Sequence, residues 1–216
     1  MAHLSLVKSL SHLKEEKRFV DEISLDGFGL SLPRGTVVEI AGGSSSGKTS
    51  FALSLLTKLT AAGETCAVVD STGGFDPQTA VLAGVKLDNI LWARCGGDIE
   101  KAFLSADYLV QAKGFGCIWL NLCGLSIGKL RIVPKTYWYR YRTRIKETPT
   151  LFVVTASEPV TGSASQSAFL FSNETISWSG GGKFKLLHEF HLKINSRKGF
   201  FGSPLRTKIE VDYTDV

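Results

Sequence analysis

Gly42-Gly43-Ser44-Ser45-Ser46-Gly47-Lys48-Thr49 is the stretch on which the reading of this chain turns. It satisfies G-x-x-x-x-G-K-[ST], the pattern of a phosphate-binding loop. The glycines let successive backbone N–H groups turn inward toward phosphate oxygens, and a following helix adds its positive N-terminal end. In that arrangement Lys48 neutralises the β- and γ-phosphates of a nucleoside triphosphate, and the Thr49 hydroxyl ligates Mg2+. A chance Gly/Ser turn is the alternative, and the flanking residues argue against it. Thr36–Ile40 is a β-branched apolar run suited to a buried parallel strand. After the loop, Ala52, Leu55, Leu56 and Leu59 recur at three-to-four spacing as far as Ala62, and Gly63 ends the pattern as a C-cap does.

The alternation continues beyond this unit. A strand over Cys66–Asp70, a short helix from Pro77, a strand over Ile90–Arg94, a helix over Asp98–Ala112 and a strand over Cys117–Leu122 follow in turn. A basic aromatic helix from Pro134 through Glu147 and a strand over Thr150–Thr155 complete the series. Alternating strands and helices with apolar strands predict a doubly wound, mainly parallel sheet. The character then changes after the Gly/Ser-rich Ser157–Ser167. Phe184, Leu186, His188, Phe190, Leu192 and Ile194 alternate with polar or charged residues over most of the run, which predicts a half-exposed antiparallel strand. Ser196–Leu205 reads as a hairpin loop and Thr207–Val211 as the return strand, while Leu32-Pro33-Arg34-Gly35 reads as a turn. His188 and His191 have only Glu189 at ligand spacing, so they read as ordinary strand residues.

Composition sets the outer bounds. The chain has 216 residues, 44% of them hydrophobic and 21% charged, enough for one substantial core. Leu4, Val7 and Leu10, with Leu6 and Leu13 alongside, predict a short amphipathic helix before the main domain. That helix either packs on its own core or docks on a neighbouring subunit. We therefore divide the chain into residues 1–20, a helix and linker, and residues 21–216, one α/β domain. Nothing at the start resembles a secretory signal, and no run approaches the ~18 apolar residues of a membrane span. Cys66, Cys95, Cys117 and Cys123 show no C-x-x-C spacing and suit buried thiols. A cytoplasmic protein without a membrane partner is the expectation. The net charge of +5 is too small to argue for nucleic acid by itself.

Three further stretches carry a resemblance: Leu32–Ile40, Val68-Val69-Asp70-Ser71-Thr72-Gly73-Gly74-Phe75-Asp76-Pro77, and Gly84-Val85-Lys86-Leu87-Asp88-Asn89-Ile90-Leu91. With the phosphate loop they resemble the RecA recombinase family, specifically over residues 28–95 and more loosely to the C-terminal hairpin. Within that family the short length and Leu91-Trp92-Ala93-Arg94-Cys95 look like the ImuA-type accessory proteins of damage-induced mutagenesis, which work beside an error-prone polymerase. The resemblance implies a RecA-like P-loop NTPase core with a C-terminal antiparallel hairpin. It also implies ATP with Mg2+ as the ligand, because Asp76 matches the position that contacts the adenine amino group. Asp76 before Pro77 equally suits a helix N-cap. The family's stacking tyrosine three residues later is Thr79 here.

Two departures fall on the chemistry. The family's water-orienting glutamate, two residues after Asp70, is Thr72 here, and the Walker B aspartate at the end of Cys117-Ile118-Trp119-Leu120-Asn121 is Asn121. Positioning and electrostatics supply most of the catalysis in phosphoryl transfer. Losing both carboxylates predicts phosphate binding with weak or no hydrolysis, and no residue is assigned a catalytic role.

Two basic segments are candidates for DNA or a protein partner. Lys129–Lys146 holds seven cations, among them Lys135, Arg140, Arg142 and Arg144, interleaved with Tyr137, Trp138, Tyr139 and Tyr141. Cations for phosphates and π-faces for bases are the ingredients of single-strand binding. On a helix, however, Trp138, Tyr141 and Ile145 share a face that reads equally as core. Arg197 and Lys198, beside Phe200 and Phe201 at the hairpin tip, form the second candidate. In the resembling family, lysines of this region reach the nucleotide of the next protomer, and Lys198 lies nearest that pattern. The expected function is an ATP-binding accessory factor in the DNA-damage response. Its expected partners are single-stranded DNA, a translesion polymerase or a recombinase, with homo-oligomerisation as a further possibility. An active DNA-dependent ATPase forming filaments is the alternative. A pure interaction protein, such as an inhibitor of cell division, would have no use for Lys48-Thr49.

Overall fold

The computed structural model describes residues 21–180, 186–199 and 202–210. The amphipathic segment expected over residues 4–18 and the adjacent Phe200 and Phe201 lie outside the described residues, as do Phe184 and the side chain of His188. Strands β1 (Glu22–Leu25) and β2 (Leu30–Pro33) pair in a small antiparallel sheet. The main domain then runs β3 (Val37–Gly42), α1 (Lys48–Ala61), β4 (Cys66–Asp70), α2 (Pro77–Leu82), β5 (Ile90–Arg94) and α3 (Ile99–Ala112). It continues with β6 (Cys117–Asn121), α4 (Ile127–Ile132), α5 (Lys135–Ile145) and β7 (Leu151–Ala156). Two long strands and a short one close it: β8 (Ser167–Ser179), β9 (Leu186–Lys198) and β10 (Leu205–Glu210).

The strands form one eight-stranded sheet in the order β10-β9-β8-β3-β7-β6-β4-β5. β8, β3, β7, β6, β4 and β5 run parallel, and β9 and β10 add antiparallel to β8. This is the expected doubly wound, mainly parallel α/β architecture with a C-terminal antiparallel hairpin. The parallel strands β3, β4, β6 and β7 are buried along their whole length, which is why they read as unbroken apolar runs.

Each face of the sheet carries its own hydrophobic layer. On one, Phe51, Leu55, Leu56 and Leu59 of α1 pack with Val38, Ile40, Val68 and Val153. On the other, Phe103, Ala106 and Val110 of α3 and Trp138, Tyr141 and Ile145 of α5 pack with Val69, Ile118, Phe152 and Val154. The aromatic face of the basic helix is therefore core. Trp138 stands edge-on to Phe103 at 5.0 Å, and the Tyr141 hydroxyl donates to the Phe103 carbonyl at 2.7 Å. Burial pushes that phenol well above its ordinary range.

Four elements differ from the sequence reading. Ser196, Arg197 and Lys198, expected in a hairpin loop over Ser196–Leu205, belong to β9, where Ser196 and Lys198 pair with β8, and Leu205 opens β10, because the strand pairing extends past the alternating run. Leu30–Pro33 is a strand, so the expected turn is confined to Arg34-Gly35. Gly35 adopts φ 69°, and a Cβ there would press on the carbonyls of Ile145, Lys146 and Thr148. The helix α4 breaks the segment before Pro134, capped by Ser126. Finally β8, which follows the Gly/Ser stretch, has a buried first half against β3 and an exposed second half, so neither a continuous apolar run nor a clean alternation marks it.

The core assignment of α5 is tested by urea unfolding. Trp138→Ala is expected to cost about 3–5 kcal/mol of stability, whereas Lys135→Ala, at an exposed position, stays within about 0.5 kcal/mol. Equal, small effects would show that the aromatic face is not core.

Candidate functional site

The loop between β3 and α1 is shaped by steric demands specific to its residues. A Cβ on Gly42 would collide with the Phe171 carbonyl oxygen and lie 2.6 Å from the Ser46 hydroxyl. Gly47, the residue before α1, adopts φ 85°, and Ser45 also takes a left-handed φ of 56°. Asn173 of β8 tethers the loop by donating to the Ser45 carbonyl at 2.7 Å. The first amide of α1 to find a helical carbonyl is that of Phe51, on Gly47 at 2.9 Å, so the amides of Lys48, Thr49 and Ser50 have no carbonyl within the helix to donate to.

Lys48 is only 7% exposed. Its ammonium donates to the carbonyls of Gly42 at 2.6 Å and Gly43 at 2.5 Å and to the Ser46 hydroxyl at 3.1 Å. Burial lowers its pKa from the ordinary lysine value, and the nearby Cys123 acts in the opposite direction. Cys123 is itself pushed up, first by burial, and is held back by Lys48 and by a hydrogen bond with Thr155. A cation is thus kept at the end of β3 by two backbone carbonyls and a hydroxyl, with no carboxylate among the described residues bonded to it. Thr49, the expected metal ligand, is exposed one residue further on.

The ends of β4 and β6 close the site from the side. Asp70 is fully buried, and its carboxylate accepts from the amides of Gly73 at 3.0 Å, Gly74 at 2.9 Å and Phe75 at 3.1 Å. It shapes the turn that carries Thr72, whose hydroxyl donates to the Cys123 carbonyl at 2.7 Å. Asn121 accepts on Oδ1 from the Cys123 amide at 3.2 Å and the Thr155 hydroxyl at 3.0 Å. Thr155 in turn accepts from the Trp119 indole N–H at 2.9 Å. The two positions where the resemblance calls for carboxylates are thus joined, through Cys123, in one neutral hydrogen-bonded network.

Asp76 is an N-cap. Its carboxylate accepts from the amides of Gln78 at 3.3 Å and Thr79 at 3.0 Å and from the Thr79 hydroxyl at 2.5 Å, bonds that hold its pKa below the usual carboxylate range. Thr79, standing where a stacking tyrosine was expected, is spent on this cap.

The two basic segments meet. Arg142 donates to the Ser163 carbonyl at 3.2 Å, and Lys198 donates to the carbonyls of Ser163 at 2.9 Å and Ser165 at 2.6 Å. The Tyr139 and Ser163 hydroxyls are also bonded. Glu39, buried in β3, accepts the amides of Val160 at 2.6 Å and Thr161 at 2.7 Å, and Arg197 lies 4.0 Å from its other oxygen. Arg140 and Arg144 pair with Asp107 of α3 at 2.8 and 2.7 Å, and Arg140 also covers the Tyr137 ring. Lys135 is exposed on the first turn of α5. Glu39, Asp107 and Asn173 escaped the sequence reading. An acid inside the apolar Val37-Val38-Glu39-Ile40 was the signal for the first, and the other two carried none.

Between α3 and the α4–α5 junction lies a groove of about 690 Å3, lined by Ile99, Phe103, Leu104, Ile132, Val133 and Tyr137 among others. Ile132 is 79% exposed and Leu104 51%. Among the described residues no helix is long and apolar enough to cross a membrane.

The RecA N-terminal domain family matches residues 19–125, about half of the chain. Protein RecA of Pseudomonas fluorescens (strain Pf0-1) is 32% identical over 125 residues, covering 55% of this chain and 35% of that protein. Protein RecA of Acidiphilium cryptum is 39% identical over 106 residues, or 46% of this chain and 31% of that one. Protein RecA of Acinetobacter baylyi is 42% identical over 81 residues, covering 38% and 23% respectively. The chain thus spans about a third or less of the length of these relatives. The sequence similarity and the sheet topology together support the RecA superfamily as the family of this chain, over the half that carries the phosphate loop.

Proposed function

We propose that this chain is an ATP-binding RecA-like accessory protein that holds its nucleotide with weak or no hydrolysis. One observation carries the reading: the cradle of Gly42, Gly43, Ser44, Ser45, Ser46, Gly47, Lys48 and Thr49 is intact, while Thr72 and Asn121 are neutral and engaged with each other's surroundings. A buried ammonium ringed by carbonyls attracts a polyphosphate that displaces those carbonyls. Adenine at Asp76 and Thr49 as a metal ligand belong to this reading as the resemblance implies them. A filament-forming, DNA-stimulated ATPase is disfavoured because no carboxylate at either hydrolytic position is available to orient water.

The cellular role we propose is in the DNA-damage response, beside a translesion polymerase or a recombinase, as the ImuA-type resemblance suggests. Lys135, Arg140, Arg142, Arg144, Arg197 and Lys198 are its candidate contacts with DNA or partner. Single-stranded DNA would lie best where Arg142, Arg197 and Lys198 gather around Ser157–Ser167. The groove beside α4, with its exposed Ile132 and Leu104, favours a protein there instead. Self-association through residues 1–20 is the proposed route to a homo-oligomer.

Calorimetric titration with ATP tests the reading. The wild type is expected to bind, and Lys48→Ala to lose at least about ten-fold in affinity, or roughly 1.4 kcal/mol. Turnover is expected to stay at background with and without single-stranded DNA. Strong DNA-stimulated turnover would favour the ATPase reading, and no binding would overturn both.

A pH series gives a second test. Only the ammonium form of Lys48 attracts phosphate, and burial lowers its pKa. Affinity for ATP is therefore expected to fall on the alkaline side, beginning below the ordinary lysine value of about 10.4. Lys48→Ala should flatten that decline. An unchanged alkaline decline in Lys48→Ala would assign it to another group.

A further inference from the structure

A phosphate-bound Mg2+ keeps several of its waters, and each of those waters donates hydrogen bonds that need acceptors. The fit of the ion to this loop is therefore decided by the acceptors at the ends of β4 and β6. Asn121 Oδ1 has both lone-pair directions taken, by the Cys123 amide and the Thr155 hydroxyl. The other end of that side chain, Nδ2, is a donor only. The Asp70 carboxylate is buried and receives three backbone amides. The Thr72 hydroxyl gives its proton to the Cys123 carbonyl. Glu39 receives the amides of Val160 and Thr161 and faces Arg197. The groups with N–H bonds to offer a ligand are of the opposite kind: the amides at the start of α1, the Asn121 amide N–H and, once a phosphate displaces its Gly42, Gly43 and Ser46 partners, the Lys48 ammonium. The residues present suit an anion and do not suit a hydrated metal ion.

We infer that the cradle takes its polyphosphate as the bare anion, without Mg2+. The inference rests on the nucleotide-binding reading above, specifies the ionic form of its ligand and replaces the metal-ligating role that the resemblance implies for Thr49. Mg2+ bound to ATP cancels part of the negative charge that Lys48 and the loop dipoles attract. Its waters meet a neutral hydroxyl at Thr72 and a donor at Asn121 where charged acceptors would hold them, so the ion weakens binding or leaves it unchanged. An aspartate at position 121 would reverse this. It would keep acceptance from Cys123 and Thr155 and add a charged oxygen for the ion's water.

The experiment is a pair of ATP titrations by calorimetry at matched ionic strength, one in excess Mg2+ and one in EDTA. For the wild type the Kd in EDTA is expected to equal that in Mg2+ within about two-fold, or to be lower. For Asn121→Asp, verified as folded by circular dichroism, binding is expected to become at least about five-fold tighter in Mg2+ than in EDTA. A wild type that weakens about ten-fold or more in EDTA overturns the inference while leaving the nucleotide reading intact. A folded Asn121→Asp with no gain in Mg2+ overturns the acceptor argument on which the inference stands. Binding in neither buffer overturns the inference and the nucleotide reading together.

Discussion

The Lys48 ammonium, buried at the end of β3 and bonded to the Gly42 and Gly43 carbonyls and the Ser46 hydroxyl, sets the conditions for everything around it. A buried charge without a carboxylate partner is unfavourable unless dipoles or a ligand compensate it. The loop supplies the dipoles, and its geometry follows from that duty. Gly42 is small because the Phe171 carbonyl is against it, Ser45 is forced left-handed, and Asn173 pins the loop from β8. The parallel order brings the ends of β4 and β6 to the same side of the sheet, so Cys123, which bonds both Thr72 and Asn121, neighbours the lysine.

What these neighbours contribute is neutrality. In phosphoryl transfer, charged oxygens orient water and hold the metal. The chain from Trp119 through Thr155, Asn121 and Cys123 to Thr72 satisfies its members with one another. The one acid at the end of β4, Asp70, is spent on folding the turn. On the function proposed above, such a site attracts negative charge and carries little to activate a nucleophile.

Much of this was legible in the sequence, for identifiable reasons. The phosphate loop is a local motif between a buried strand and an amphipathic helix, and all three signals agreed at that point. Strands β4, β6 and β7 announced themselves because parallel central strands buried on both faces are apolar nearly throughout. β8 did not, because its two halves live in different environments, and β1 and β2 are too short to show a period. At the site, the replacements Thr72 and Asn121 were visible as residue types, but their hydrogen bonds join positions far apart in the chain. The basic segments show the same limit. Their composition suggested a binding surface, yet Asp107 and Glu39, distant in sequence, decide how Arg140, Arg144 and Arg197 are spent. Only the fold reveals that Arg142 and Lys198 hold the same loop.

The central claim, that the loop retains ATP without cleaving it, meets its most direct test in a single-turnover experiment. Trace γ-labelled ATP is mixed with excess protein, with and without single-stranded DNA, and the bound nucleotide is followed over time. The account predicts that protein-bound label stays in ATP at the rate of the protein-free control. Conversion of the bound ATP to ADP and phosphate well above that control, abolished by Lys48→Ala, would contradict it.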